Sequence, residues 1–131
     1  MGKPAAKQGD QVMATDTHIV MIPSPGGPVP TPLPHPFTGQ LDGALSSDVN
    51  IEGKPAAVQG STATNLPSHI PQGGPFQQPP SNKATIQTGS GSVFINGKPA
   101  ARNGDTATTC NDPGDLPVGT VIAVSMVMIG D

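Results

Sequence analysis

The sequence predicts a mostly β fold of three hairpin repeats about a pseudo-threefold axis, with little or no helix. Three observations carry this. Gly-Lys-Pro-Ala-Ala occurs at residues 2–6, 53–57 and 97–101, each copy followed by a Gly at the same offset. Short runs of alternating apolar residues lead into the second and third copies, which is the period of a strand. Finally, 17 Gly and 17 Pro among 131 residues leave no convincing amphipathic helical stretch.

The elements follow in order. Residues 2–10, 53–61 and 97–105 align as Gly-Lys-Pro-Ala-Ala-Lys-Gln-Gly-Asp, Gly-Lys-Pro-Ala-Ala-Val-Gln-Gly-Ser and Gly-Lys-Pro-Ala-Ala-Arg-Asn-Gly-Asp. The copies start 51 and 44 residues apart, too far for a heptad and too irregular for an open solenoid, so three units closing on one another is the economical arrangement. Residues 47–53 and 92–97 alternate Val49/Ile51 and Val93/Ile95 and end at a Gly, and Asn96-Gly97 is a strong hairpin-turn pair. The Pro that follows belongs at an edge or a strand start. The first copy begins too early for a strand of its own, but Val127-Met-Ile129-Gly-Asp131 has the pattern of Val93-Phe-Ile95-Asn-Gly97. A C-terminal strand over about residues 118–131 is therefore expected to close onto the first repeat, giving one domain over residues 1–131 with its termini together. The Pro-rich stretches 22–37 and 66–80 are expected to be extended loops without internal hydrogen bonds, wrapping a compact point. Ligands for proline-reading domains are their other reading.

Metal-ligating residues keep register with the repeat. His18 lies 16 residues after Gly2, His69 lies 16 after Gly53, and Cys110 lies 13 after Gly97. Threefold symmetry would bring the three together on the axis, and His35, from the first Pro-rich stretch, would complete one Cys and three His. That is a tetrahedral zinc complement with no open position, hence one structural ion rather than a catalytic one. The plainer alternatives are solvated loop histidines, with His35 predicted by no repeat position, and a small buried apolar role for Cys110. A single Cys excludes an intrachain disulfide framework.

Composition narrows the rest. With no Trp or Tyr and only Phe37, Phe76 and Phe94, the core must be thin, and a zinc site would compensate. A net charge of −3 on few charged residues offers no basic nucleic-acid surface. Lys3, Lys54 and Lys98 read as solvated turn residues. No secretory signal is visible at the start, and the apolar run 118–129 falls short of the roughly 20 residues that span a bilayer. Production in the cytoplasm, with any export by a machine that reads no N-terminal signal, is the expectation. The stretch 91–98 is not a phosphate-binding loop, because five residues separate its glycines and Pro99 stands where a hydroxyl is needed. Cys110 with a His lacks a scaffold for a nucleophile and base. Asp112 and Asp115 read as turn residues, and no pair of carboxylates is poised for acid–base work.

The three Pro-Ala-Ala motifs, with Arg102 completing Pro-Ala-Ala-Arg, and the His/Cys set in register resemble the PAAR-repeat family of contractile injection systems, over nearly the whole chain. The resemblance implies a small cone pinned by zinc near its apex, through His18, His35, His69 and Cys110, and a flat base docking on the blunt end of a homotrimeric β-helical spike protein. It implies a non-enzymatic, monomeric tip that helps puncture a target membrane, touches it transiently and serves as an adaptor for effector cargo. The type VI secretion apparatus, a phage tail and a phage-tail-like particle are all compatible. The departures are Lys7 and Val58 in place of Arg, and Ser61 in place of Asp; they leave the metal untouched but weaken any need for Arg in each unit. Val49, Ile51, Val93, Ile95, Val127 and Ile129 would supply either the apolar base or the interior. The competing classes are a zinc-dependent enzyme with an open coordination site and a proline-rich binding module without metal.

Overall fold

The computed structural model describes residues 2–130. Met1 and Asp131, the outermost residues of the expected domain and closing strand, lie outside the described residues. Twelve strands and no helix form there: β1 (Lys3–Pro4), β2 (Gln11–Ile22), β3 (Val29–Gly43), β4 (Asn50–Ile51), β5 (Lys54–Pro55), β6 (Thr62–Asn65), β7 (Lys83–Ile86), β8 (Phe94–Ile95), β9 (Lys98–Pro99), β10 (Thr106–Thr109), β11 (Leu116–Ile122) and β12 (Met128–Ile129).

Each Pro-Ala-Ala motif occupies the same backbone geometry, and the three interlock. The Ala6 amide donates to Ala101 O, the Ala101 amide to Ala57 O and the Ala57 amide to Ala6 O, each at 3.0 Å, so the bonds close a cycle. A second cycle runs outside it, from Gln8 to Pro55 O, Gln59 to Pro99 O and Asn103 to Pro4 O. Alanine is the residue such a ring needs, because successive side chains face opposite ways and both must fit at the axis. Ala6, Ala57 and Ala101 enter one buried cluster with Val12, Phe37, Leu41, Ile86 and Val121. Ala5, Ala56 and Ala100 enter a second, with Ile51, Ile95, Ile129 and Val58. All six alanines are fully buried.

Three small hairpins, β12–β1, β4–β5 and β8–β9, flank the ring, with Ile129, Ile51 and Ile95 opposite Lys3, Lys54 and Lys98. Glu52-Gly53 and Asn96-Gly97 turn two of them with φ of 52/81° and 53/78°, the two left-handed residues of a type I′ turn. In the unit of the first motif, β12 pairs with β1, Ile129 opposite Lys3, so its two strands come from opposite ends of the described residues.

Past the motifs, three larger hairpins form a closed six-strand barrel in the order β10–β11–β2–β3–β6–β7. Each copy feeds a rising strand (β2, β6, β10), and each returning strand (β3, β7, β11) pairs with the next rising one. The departures among the copies are coupled. Asp10 and Asp105 accept the backbone amides of Lys7 and Arg102 and also pair with those side chains, whereas Ser61 Oγ accepts the Val58 amide at 3.0 Å and needs no cation.

The Pro-rich stretch expected as loop over residues 22–37 is instead mostly strand, since β3 pairs with β2 through twelve residues of register. The reason lies in the spacing of Pro30, Pro32, Pro34 and Pro36. Their partners Met21, Ile19 and Thr17 turn their amides away from β3, so the prolines occupy the non-hydrogen-bonded pairs, where a missing N–H costs nothing. The open edge of β3 then carries no donors there and cannot recruit a stray strand. The second Pro-rich stretch, residues 66–80, holds no named strand and lies as a strap along β2, with the Met21 amide donating to Pro75 O and the Gln77 amide to Ile19 O, each at 2.8 Å.

Candidate metal centre

The long β2–β3 hairpin builds the site. Alternation along β2 turns Val12, Asp16, His18 and Val20 inward, and along β3 His35 and Phe37, with His35 directly opposite Asp16. Seven residues of strand from Gln11 to His18, at about 3.3 Å each, carry these groups well away from the alanine ring. Cys110 follows β10, and His69 begins the strap after β6. All four of His18, His35, His69 and Cys110 are buried. The three imidazoles surround a common point, with ring centroids 4.9 Å apart for His18–His69, 5.5 Å for His35–His69 and 5.6 Å for His18–His35. Phe76 on the strap packs on His35 and His18 at 5.3 and 5.8 Å.

The tightest donor group is Asp16, His18, His69 and Cys110, whose ligand atoms all lie within 4.8 Å of one another. His35 is not one of that four. Cys110 Sγ lies 3.6 Å from His18 Nε2 and 3.5 Å from Asp16 Oδ2. Ligands 2.0–2.3 Å from one ion at tetrahedral angles stand about 3.3–3.7 Å apart, so these spacings fit. The donor set of imidazole, thiolate and carboxylate suits a transition-metal ion of the zinc type.

The surroundings orient the donors. His18 Nδ1 is buried with no hydrogen-bond partner and lies 3.6 Å from Asp112 Oδ2; that carboxylate also accepts the Ile19 amide at 2.8 Å. Asp112 thus stands behind His18 from the bend that precedes β11. His35 donates through Nδ1 to Leu33 O at 3.0 Å, leaving Nε2 with its lone pair. His69 Nδ1 stands 3.3 Å from Asn65 Nδ2, whose partner oxygen Oδ1 accepts the Thr38 amide. Burial holds His18 below the ordinary imidazole range against the opposing pull of Asp112. Burial, reinforced by the Asp16 carboxylate, pushes the Cys110 thiol up to about 11. Without an ion the cluster therefore favours a neutral His18 and a protonated thiol.

Sequence reasoning missed Asp16, Asp112 and Asn65. The signal for Asp16 was the alternation Val12, Ala14, Asp16, His18, Val20, which marks one face of a strand. Of the six apolar residues proposed for a docking base, Ile51, Ile95 and Ile129 are buried around the alanines, while Val49 and Val127 are exposed and Val93 is partly so. Beside the valines stand the exposed Phe94 and Met128, and Asn50 holds the corresponding position in the β4 hairpin.

Family models match the chain in the PAAR motif over residues 21–113 and again over 76–130, an overlap that follows from the internal repeat. No curated protein matches it. The interlocked Pro-Ala-Ala ring and a match over most of the sequence place the protein in the PAAR-motif family, the structural spike-tip proteins of contractile injection systems.

Proposed function

We propose that the protein is the non-enzymatic tip of a contractile injection spike, one copy capping the blunt end of a homotrimeric β-helical spike protein. The observation that carries this is the closed cycle of hydrogen bonds through Ala6, Ala57 and Ala101, by which a single chain offers three near-equivalent faces to a threefold partner. The docking base is the ring end, where Val49, Val93, Val127, Phe94 and Met128 leave apolar surface exposed or part-exposed at related positions. The buried isoleucines beneath them belong to the interior. The opposite end, pinned by one structural zinc ion through His18, His35, His69 and Cys110, with Asp16 buried beside them, meets the target membrane. A pinned end keeps its shape under load, which is what puncturing requires of it. Effector cargo delivered on such a tip would travel with the spike, loaded inside the producing cell and released outside it or in the target.

The test is native mass spectrometry of the protein mixed with the trimeric spike protein, expected to give one chain per trimer. Glu at Val49, Val93 and Val127 together should abolish that complex while the metal content stays at about one zinc per chain. A complex unaffected by the three substitutions, or one with three chains per trimer, would refute the docking proposed.

A further inference from the structure

We infer that the strap over residues 66–80 is the gate of the metal site: it swings off β2 to let an ion in or out, and a bound ion holds it shut. The inference rests on the metal-pinned reading above and concerns how the site is filled rather than what fills it.

His18, His35, His69 and Cys110 are all buried, so an ion reaches them only when one wall of the site opens. The walls are fastened unevenly. β3 is joined to β2 through twelve residues of register. The segment after β10 is tied to β2 by three bonds, from the Thr17 amide to Asn111 Oδ1, the Ile19 amide to Asp112 Oδ2 and the Asp112 amide to Thr17 O. From Ile70 to Pro79, among the described residues, two bonds hold the strap to β2, from the Met21 amide to Pro75 O and the Gln77 amide to Ile19 O. Along the strap His69 alone is buried; Gly74, Phe76 and Pro80 are partly so, and the rest are exposed. A segment with so little burial and so few backbone bonds opens locally, well below the cost of unfolding the whole chain.

What the strap carries makes it a gate. His69 lies on it, so a donor leaves the cluster when it swings out. Phe76 covers two more, its ring 5.3 Å from His35 and 5.8 Å from His18. A cavity of about 230 Å³ already lies between the start of the strap and β3, lined by His35, Thr38, Asn65 and His69 and by the exposed Leu66 and Ile70. Opening therefore widens a path that reaches two imidazoles. With the site empty, it breaks hydrogen bonds of His69 to Asp16, Asn65 and Asn82 that water replaces. With the site filled, His69 must also give up the ion, so opening and release become one event.

The first test uses the wild-type chain. Amide hydrogen exchange is read at Met21 and Gln77 and at the ring amides of Ala6, Ala57 and Ala101, with zinc removed and with free zinc at about 100 times its Kd. In the metal-free chain the two strap-bonded amides should exchange at least about tenfold faster than the ring amides. Zinc should slow them about 100-fold, the factor expected when opening requires an empty site. Strap-bonded amides no faster than the ring's, or unmoved by zinc, overturn the inference. Rates of Co(II) uptake, and of its loss to EDTA, then separate a gate from a mere cover. Phe76→Ala should raise both by about tenfold and leave Kd nearly unchanged. Faster loss without faster uptake would mean that Phe76 only props the donors, and overturns the gate. Leu41→Ala, in the barrel core, should weaken the fold without raising either rate; equal acceleration by it would mean exchange through global unfolding, which also overturns the gate. A wild-type chain that binds neither zinc nor cobalt refutes the metal-pinned tip itself, and the gate with it, whatever the amides do.

Discussion

Gly74 holds the strap against β2, and replacing it by Ala gives a sharp test of how the cover over the histidines is fastened. A Cβ at that position would lie 1.9 Å from Met21 O and 2.9 Å from Met21 C, where ordinary contact begins at 3.4 Å. The obstacle is backbone on both sides, so no side chain can swing aside, and the strap must lift by roughly 1.5 Å to restore contact distance. Lifting it breaks the bonds from the Met21 amide to Pro75 O and from the Gln77 amide to Ile19 O. At about 0.5–1.5 kcal/mol each, with the Phe76 contacts to His18 and His35 also loosened, Gly74→Ala should cost about 1–4 kcal/mol. Urea unfolding of the metal-free protein measures the total, and hydrogen exchange at the Met21 and Gln77 amides locates it. Unfolding free energy unchanged within about 0.5 kcal/mol, with both amides still protected, would refute the account of the strap.

Three further outcomes follow from the same geometry. Val at Ala6, Ala57 or Ala101 overpacks a fully buried axis and should cost about 1–3 kcal/mol at each; thermal melts in which the three differ widely would deny their equivalence. Zinc uptake near neutral pH should release about one proton per ion from the Cys110 thiol, held up at about 11 in the metal-free chain. Calorimetry in two buffers of different ionisation enthalpy reads that number, and no release would mean a thiolate already formed. Because burial lowers His18 from 6.5, its contribution to the metal-free fold is complete above that value and lost as pH falls through the lowered one. Unfolding free energy of the metal-free chain should therefore fall in acid below about pH 6.5, and His18→Gln should flatten that part of the curve.

The repeat made the ring, the turns and the all-β character legible, because a motif present three times reports its own environment three times. Asn96-Gly97 could be read directly, since few residue pairs accept two positive φ angles. The β2–β3 hairpin was not legible, and the prolines concealed it: composition says loop, while the strand depends on their falling at every second position, facing the open edge. The docking residues were half legible. Alternation separates Val49 from its neighbour Asn50, but it cannot say that Val49 and Ile51, two residues apart, differ in exposure; that follows from the turn, which swings Ile51 under the alanines. Asp16 escaped notice because carboxylates in a chain of this charge read as surface, and only the strand register puts it opposite His35.

The cycle of bonds through Ala6, Ala57 and Ala101 also constrains how the chain comes to be folded. Its links join residues 51, 44 and 95 positions apart in sequence, and none is local. The entropy of closing two long loops, of 51 and 44 residues, must be spent before the cycle is complete, the regime in which β proteins fold slowly and cooperatively. A chain still emerging from synthesis can make only the link between Ala57 and Ala6, and the cycle cannot close until Ala101 in its last third is present. The same interdependence works in reverse, since pulling any one segment out of the ring breaks two of its three links at once, so the native state should be left rarely and as a whole.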